Sequence, residues 1–175
     1  MPLLHDGKLI EDDKWSVFSD DAELPDNPAQ AIVSMQRYIE LRASGALVPG
    51  DALVPDGANT SGVEPVPVGV VVAPEDDVLV LAPYVVQLNL IAISFPVYTD
   101  GRGYSHARLL RKRMAYSGEL RAIGDIRADQ VLFMARSGID SFDFSAQPDM
   151  DLVQTLVTRF EKNYQPSYAL PVDFR

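Results

Sequence analysis

Two glycines flank an arginine in the segment 100–105, whose sequence is Asp-Gly-Arg-Gly-Tyr-Ser. The segment follows an apolar run, Leu88 to Val97, and leads into residues 104–115, whose pattern predicts a helix. Bare backbone N–H groups and a guanidinium at the start of a helix are suited to holding an anion. We therefore expect an anion- or ligand-binding site formed by Asp100, Gly101, Arg102, Gly103, Tyr104, Ser105, Arg108 and Asp125.

The two acidic residues of this candidate site each allow two roles. Asp100 either orients Arg102 through a charge-assisted pair or caps the helix that follows. Asp125 either caps the next predicted helix or points its carboxylate into the loops. The hydroxyls of Tyr104 and Ser105 are placed to contact whatever lies at the helix start, and packing is the alternative for Tyr104. The pattern identifies no catalytic residue.

The acidic residues are concentrated in the first part of the chain. Residues 1–99 contain 4 Lys or Arg against 15 Asp or Glu, whereas residues 100–175 contain 11 against 10, within a net charge of −10. An acidic chain repels nucleic acid and anionic membranes, so we expect neither as a partner. We interpret Arg111, Lys112 and Arg113 as a solvated helix face, in contrast to Arg102 between its glycines.

Composition excludes several kinds of reactive site. The chain has no cysteine and only two histidines, His5 and His106, which excludes disulfides, thiolate metal sites and cysteine nucleophiles. The pattern Gly101-x-Gly103-x-x-His106 lacks the third small residue of a dinucleotide fingerprint, and the chain has neither a phosphate loop nor a nucleophile elbow. We therefore predict no metal site and no tightly bound redox metal cofactor, and no residue pattern indicates another cofactor.

The second part of the chain alternates apolar strands with amphipathic helices. The predicted strands are Val66–Ala73, Leu88–Phe95, Leu120–Gly124 and Ile139–Phe144. The predicted helices are Glu75–Ala82, Tyr104–Ala115, Arg127–Ser137 and Asp149–Phe160. Nearly continuous apolar strands separated by helices are typical of parallel β/α units. We expect an α/β fold with about four parallel strands, as an open layered sheet or a partial barrel.

The first 65 residues are predicted to form a smaller unit packed on a main domain of residues 66–175. It comprises a β-hairpin turning at Asp6-Gly7, a strand at Trp15–Phe18, a helix over residues 28–44 that starts after Asp26-Asn27, and a Gly/Pro-rich loop. The chain shows no targeting or membrane-spanning segment, so we expect a cytoplasmic protein. Exposed sheet edges and an incompletely covered face favour a homodimer.

This architecture indicates where a ligand should bind. In parallel β/α structures the loops after the carboxyl ends of the strands gather on one face, which we call the loop face. The predicted loops there are Pro74–Asp76, Pro96–Gly103, Gly124–Arg127 and Ser145–Asp149. Four charged residues could therefore converge although they are up to 27 positions apart in the chain: Asp100, Arg102, Asp125 and Arg127.

Residues 90–144 also contain a set of distinctive motifs. They are Phe95-Pro96, Thr99–Ser105, Ala107–Arg111, Gly118–Ala122, Gly124-Asp125, Asp129-Gln130 and Gly138-x-Asp140. On these residues the chain resembles a bacterial family, domain of unknown function number 934, encoded near assimilatory sulfite reductase genes. The resemblance implies that the protein takes part in sulfite reduction. Members of the family are loosely described as oxidoreductases. Members often have cysteine where this chain has Ser137, so a thiol mechanism is not open to it.

Three interpretations of function follow from these observations. In the first, the protein is an auxiliary protein of assimilatory sulfite reduction that binds a small oxyanion or a partner enzyme at the loop Asp100–Gly103. The partner would be sulfite reductase or another sulfur-assimilation enzyme. In the second, it is an oxidoreductase of the same pathway with a dissociable cofactor. In the third, the loop is purely an interaction surface for another chain.

Overall fold

The computed structural model describes residues 3–5, 8–24, 30–48, 52–53, 66–146 and 148–158. Its strands are β1 (Leu3–His5), β2 (Lys8–Ile10), β3 (Trp15–Val17), β4 (Gln30–Ser34), β5 (Leu47–Val48), β6 (Ala52–Leu53), β7 (Val66–Val72), β8 (Leu90–Phe95), β9 (Glu119–Gly124) and β10 (Ser141–Asp143). Its α-helices are α1 (Met35–Ser44), α2 (Arg102–Arg108), α3 (Val131–Ser137) and α4 (Met150–Thr158). Short 3-10 turns lie at Val78–Leu81 and Ala128–Gln130, and α2 continues into a π-helical turn, Leu109–Arg113.

Eight strands form the main path of the sheet in the order β2-β1-β10-β9-β8-β7-β4-β3, and off this path β6 pairs antiparallel with β5 and β7. Neighbouring strands from β10 to β3 are parallel, while β1 is antiparallel to β10 and β2. The parallel strands cross the sheet in chain order, as they do in a β/α barrel. The sheet curls into a half-barrel, which confirms the predicted α/β fold and selects the partial barrel over the open layered sheet.

The two faces of the sheet have different surroundings. Side chains alternate along a strand, so Leu120 and Ala122 of β9 face the helices in the main core, while Glu119 and Arg121 face the opposite side. We call that opposite side the inner face, because it lies inside the half-barrel. A second apolar cluster lies there, formed by Ile32, Leu90 and Ala92 with Trp15, Val71 and Ile123 packed against it.

The predicted helix over residues 28–44 is wrong in its first part, because residues 30–34 form strand β4. Ala31, Ile32 and Val33 are all buried, since this strand lies between β3 and β7 with both faces covered. The helix starts at Met35, where the Ser34 hydroxyl accepts a hydrogen bond from the Arg37 N–H at 3.1 Å. The start predicted at Asp26 to Pro28 lies outside the described residues.

The other elements follow the predictions with local changes. The four predicted parallel strands are confirmed as β7 to β10, and Asp149 caps α4 by accepting the Leu152 N–H at 3.1 Å. The predicted helix Glu75–Ala82 is only the 3-10 turn Val78–Leu81. The Asp6-Gly7 turn and most of the Gly/Pro-rich loop lie outside the described residues. Strands from both sides of residue 65 share one sheet, and the division into two units stays a prediction.

Candidate functional site

The loop after β8 is closed by an ion pair between its two charged residues. Arg102 Nη2 donates to Asp100 Oδ2 at 2.7 Å, and Arg102 Nε donates to Oδ1 at 3.1 Å. The same carboxylate accepts the backbone N–H of Arg102 at 3.0 Å, so Asp100 orients Arg102 and satisfies one N–H at the start of α2, while Gly101 occupies the N-cap position. These bonds lower the pKa of Asp100 to about 2. The Arg102 side chain remains 58% exposed beside this internal carboxylate.

Packing requires a glycine at only one of the two glycine positions in the loop. A Cβ on Gly103 would lie 2.6 Å from the Phe95 ring, so the start of α2 can approach β8 only without a side chain there. Gly101 has open space around its Cα. Tyr104 packs edge-on against Phe95, with ring centroids 5.5 Å apart, and burial raises the pKa of its hydroxyl. Ser105 and Arg108 are exposed on the outer side of the helix.

Tyr98 is held in place by three residues that follow β9. Its N–H donates to Asp125 Oδ2 at 3.2 Å, its carbonyl accepts from Gln130 Nε2 at 2.6 Å, and the Arg127 guanidinium lies 3.5 Å from its ring centroid. Asp125 therefore points into the loops and does not cap the helix, because Arg127 occupies the cap position of the turn that follows. We call Tyr98, Asp125, Arg127 and Gln130 the loop clamp.

His106 lies between the loops that follow β7 and β8. Burial lowers the pKa of its imidazole, while the nearby carboxylates of Asp76, Asp100 and Asp77 act in the opposite direction. Within the described part of the chain, its Nδ1 is buried and has no hydrogen-bond partner. The hydrogen bond to Asp100 raises the pKa of the Arg102 guanidinium, and the Glu75 carboxylate of the loop after β7 acts in the same direction. The loop face thus joins the loops after β7, β8 and β9.

A second polar cluster lies on the inner face around Arg121, which is only 3% exposed. Its guanidinium contacts Glu119 at 3.0 Å and Asp13 at 2.5 Å. Glu119 also accepts the Ser141 hydroxyl at 2.5 Å. Burial raises the pKa of the neighbouring Asp143, whose carboxylate lies near Arg121. Residue spacing does not single out this cluster; the alternation of polar and apolar residues in β9 and β10 is the sequence signal for a polar inner face.

Arg111 is a correction to the predicted solvated helix face. It is 6% exposed, whereas Lys112 and Arg113 are exposed as predicted. The π-helical turn aims its guanidinium inward, where Nε donates to the Gly138 carbonyl at 2.8 Å and Nη1 to those of Tyr116 and Gly118 at 2.7 and 2.8 Å. Nη2 forms an ion pair with Asp140, which also accepts the Leu120 N–H. This network ties α2 to the segments that precede β9 and β10.

A comparison with known protein families identifies the chain. Residues 69–173 match the family described as "Bacterial protein of unknown function (DUF934)". The chain belongs to this family. No curated protein matches it.

The family match covers the loop clamp, the Arg102 loop and the Arg111 network, but not Asp13, which reaches Arg121 from outside the matched range. Of the predicted site residues, the structure joins Asp100 to Arg102 directly, and it brings Asp125 to the same loop through Tyr98. Within the described ranges, none of the helices has both the length and the apolar character that crossing a membrane requires.

Proposed function

We propose that this protein is an accessory protein of sulfite assimilation that docks on a partner enzyme, such as sulfite reductase, through its loop face. The pathway rests on the resemblance of the sequence motifs to a family encoded beside sulfite reductase genes. Docking rests on the loop clamp, which holds an exposed aromatic ring rigid where it makes no contribution to the core. A cytoplasmic location accompanies this proposal.

The observation behind the docking proposal is the way Tyr98 is presented. Its N–H, carbonyl and ring are all engaged by neighbours, yet the residue is 40% exposed, and Val97 beside it is exposed as well. Tyrosine and arginine are the residue types that dominate binding energy at protein interfaces. A residue already fixed before binding loses little conformational entropy when a partner arrives. The Tyr98–Arg127 pair therefore suits a preformed anchor.

Exposed basic residues extend from the loop face along α2 towards the opposite end of the sheet. Arg108, Lys112 and Arg113 are exposed along α2 and its π-helical turn, and the described residues form no ion pair with them. In a chain of net charge −10, such a basic surface would orient the protein towards an acidic patch on its partner. We expect binding to weaken as ionic strength rises.

The test is binding of sulfite reductase from the same organism to the parent protein, measured by surface plasmon resonance. Tyr98→Ala and Arg127→Ala should each raise Kd at least about tenfold, in line with loss of a hot-spot side chain. Val86→Ala is the matched control, because Val86 is an apolar residue 93% exposed before β8, at the opposite end of the sheet. Equal Kd values for Tyr98→Ala and Val86→Ala, or no binding by the parent protein, would reject the proposal.

Binding of a small oxyanion at Arg102 is the second candidate, favoured by the exposure of its guanidinium. Asp100 already supplies an anion to the Arg102 side chain and N–H, so sulfite, sulfate or phosphate would compete with it. Calorimetric titration should show binding that weakens about tenfold or more in Arg102→Ala and is unchanged in Lys112→Ala. Absence of heat with all three anions would eliminate this candidate.

The oxidoreductase interpretation stays a prediction, as do the absence of a cofactor and of a metal. The absorbance spectrum of the purified protein tests them, since flavin or haem bands would establish a redox role at once.

A further inference from the structure

A segment before β3 covers the buried guanidinium on the inner face. Residues 11–14 link β2 to β3 without regular structure, and Glu11, Asp12 and Lys14 are exposed. Asp13 alone among them turns towards the sheet. Its Oδ2 and Oδ1 accept from Arg121 Nη1 and Nη2 at 2.5 and 3.3 Å. We call residues 11–15, which end at the first residue of β3, the strap.

The strap also places an aromatic ring on the apolar part of the inner face. Trp15 packs against the cluster that contains Leu90, and a Cβ on Gly69 would lie 3.2 Å from its ring. Asp13 Oδ1 accepts the backbone N–H of Trp15 at 3.2 Å, which holds the carboxylate beside the start of β3. The inner face is therefore occupied by a carboxylate paired with Arg121 and by an aromatic ring on the apolar cluster that contains Ala92, the register partner of Arg121.

Arg121 keeps its position without help from the strap. Its Nε donates to Glu119 Oε1 at 3.0 Å, two residues away on the same strand, and Glu119 is held in turn by the Ser141 hydroxyl. Asp13, in contrast, comes from an irregular segment 108 positions away in the chain. A buried charge is costly unless it is paired, so removing Asp13 alone would leave Arg121 incompletely compensated. A carboxylate from outside could take the place of Asp13 and keep the charge balance.

We propose that the inner face is a binding site for a small carboxylate with an aromatic body, and that Asp13 and Trp15 occupy it as an internal ligand. The bound carboxylate would pair with Arg121, and its aromatic body would lie on Leu90 and Ala92, where Trp15 now packs. The ligand replaces Asp13 and does not join it, because Glu119 and Asp143 already make the surroundings acidic. This site is separate from the loop face and does not depend on the docking proposal.

Tryptophan fluorescence can follow the displacement of the strap by a ligand, since Trp15 is the only tryptophan in the chain. Titration with 3-phenylpropionate, which has no indole, should shift Trp15 emission to longer wavelength as the ring enters water. The neutral analogue 3-phenylpropanol should leave the emission unchanged at equal concentration, because it cannot pair with Arg121.

Variants of the strap test the competition directly. Asp13→Asn removes the internal carboxylate, so the open state gains population and calorimetry should give a Kd about tenfold lower for 3-phenylpropionate. Asp12→Asn, at the exposed neighbour, should leave Kd unchanged. Trp15→Leu weakens the strap without touching the buried ion pair and should also lower Kd, which keeps the test valid if Asp13→Asn folds poorly.

Three results would overturn this inference. One is the absence of heat and of an emission change in the parent protein at up to about 10 mM 3-phenylpropionate, a concentration at which even a site of weak affinity would be largely occupied. Another is the same Kd in the parent protein and in both strap variants. The third is equal binding of the carboxylate and the neutral alcohol, which would indicate apolar association without Arg121.

Discussion

Replacing Arg111 with alanine should destabilise the protein by about 3–5 kcal/mol, the usual effect of removing one partner from a buried ion pair. The side chain donates to the carbonyls of Gly138, Tyr116 and Gly118 and pairs with Asp140. Alanine cannot replace any of these donors, and it leaves space too confined for full hydration. Asp140 keeps the Leu120 N–H at 2.9 Å but loses its buried cation.

Urea unfolding followed by far-UV circular dichroism measures this loss. For a chain of this length each kcal/mol lost from the free energy of unfolding lowers Tm by roughly 2–4 °C, so thermal unfolding should show a decrease in Tm of about 6–20 °C. Arg111→Lys should be intermediate, because lysine keeps the charge but lacks the planar fork that serves four acceptors. Arg113→Ala, at an exposed neighbour, should change the free energy of unfolding by less than about 0.5 kcal/mol.

A loss below about 1 kcal/mol in Arg111→Ala, with an unchanged denaturant slope, would refute this reasoning, because it would mean that water satisfies the freed acceptors. A double-mutant cycle with Asp140→Asn separates the ion pair from the carbonyl contacts. A large coupling energy would assign the loss to the pair, whereas a small one would assign it to the three carbonyls.

The remaining predictions concern the loop after β8 and the assembly. NMR titration should give Asp100 a pKa of about 2 in the parent protein and a value closer to 3.8 in Arg102→Ala. Because the pKa is lowered in the folded state, the pair stabilises the fold above about pH 4, and this contribution is lost as the pH falls towards 2. A parent value near 3.8 would contradict the pairing. Gly103→Ala should lower the free energy of unfolding in urea by about 1–3 kcal/mol, because the new methyl group would collide with the Phe95 ring. Gly101→Ala should change it by less than about 0.5 kcal/mol, and equal losses in the two variants would contradict this explanation. Light scattering should show a dimer, since β2 and β3 are edge strands, and a mass of 19.2 kDa would argue against it.

The main strands could be predicted because a strand covered on both faces has a continuous apolar sequence. The same property made strand β4 look like part of the helix that follows it. Ala31, Ile32, Met35 and Ile39 have helical spacing, and a short buried strand running directly into a helix extends that pattern backwards. Only the pairing of β4 with β3 and β7 separates the two elements, and that pairing is tertiary information.

The candidate site was predictable where it depended on neighbours in the chain. Asp100 and Arg102 are two residues apart, so their pairing and the bond from Asp100 to the first N–H of α2 could be anticipated. Arg111 could not be separated from Lys112 and Arg113 by residue type, because the direction of its side chain depends on the π-helical turn. The residues that pair with it come from later loops.

The contact between Asp13 and Arg121 has a consequence for relatives of this protein. The family match includes Arg121 and the apolar residues Leu90 and Ala92 but not Asp13 or Trp15. The wall of the inner face is thus within the family region, and the segment that closes it is not. A relative with the same Arg121–Glu119 pair and no carboxylate in its strap would leave the buried arginine incompletely compensated, so an added anion would stabilise it. Thermal stability of such a relative should therefore rise with added 3-phenylpropionate, whereas this protein, with Asp13 in place, should respond weakly.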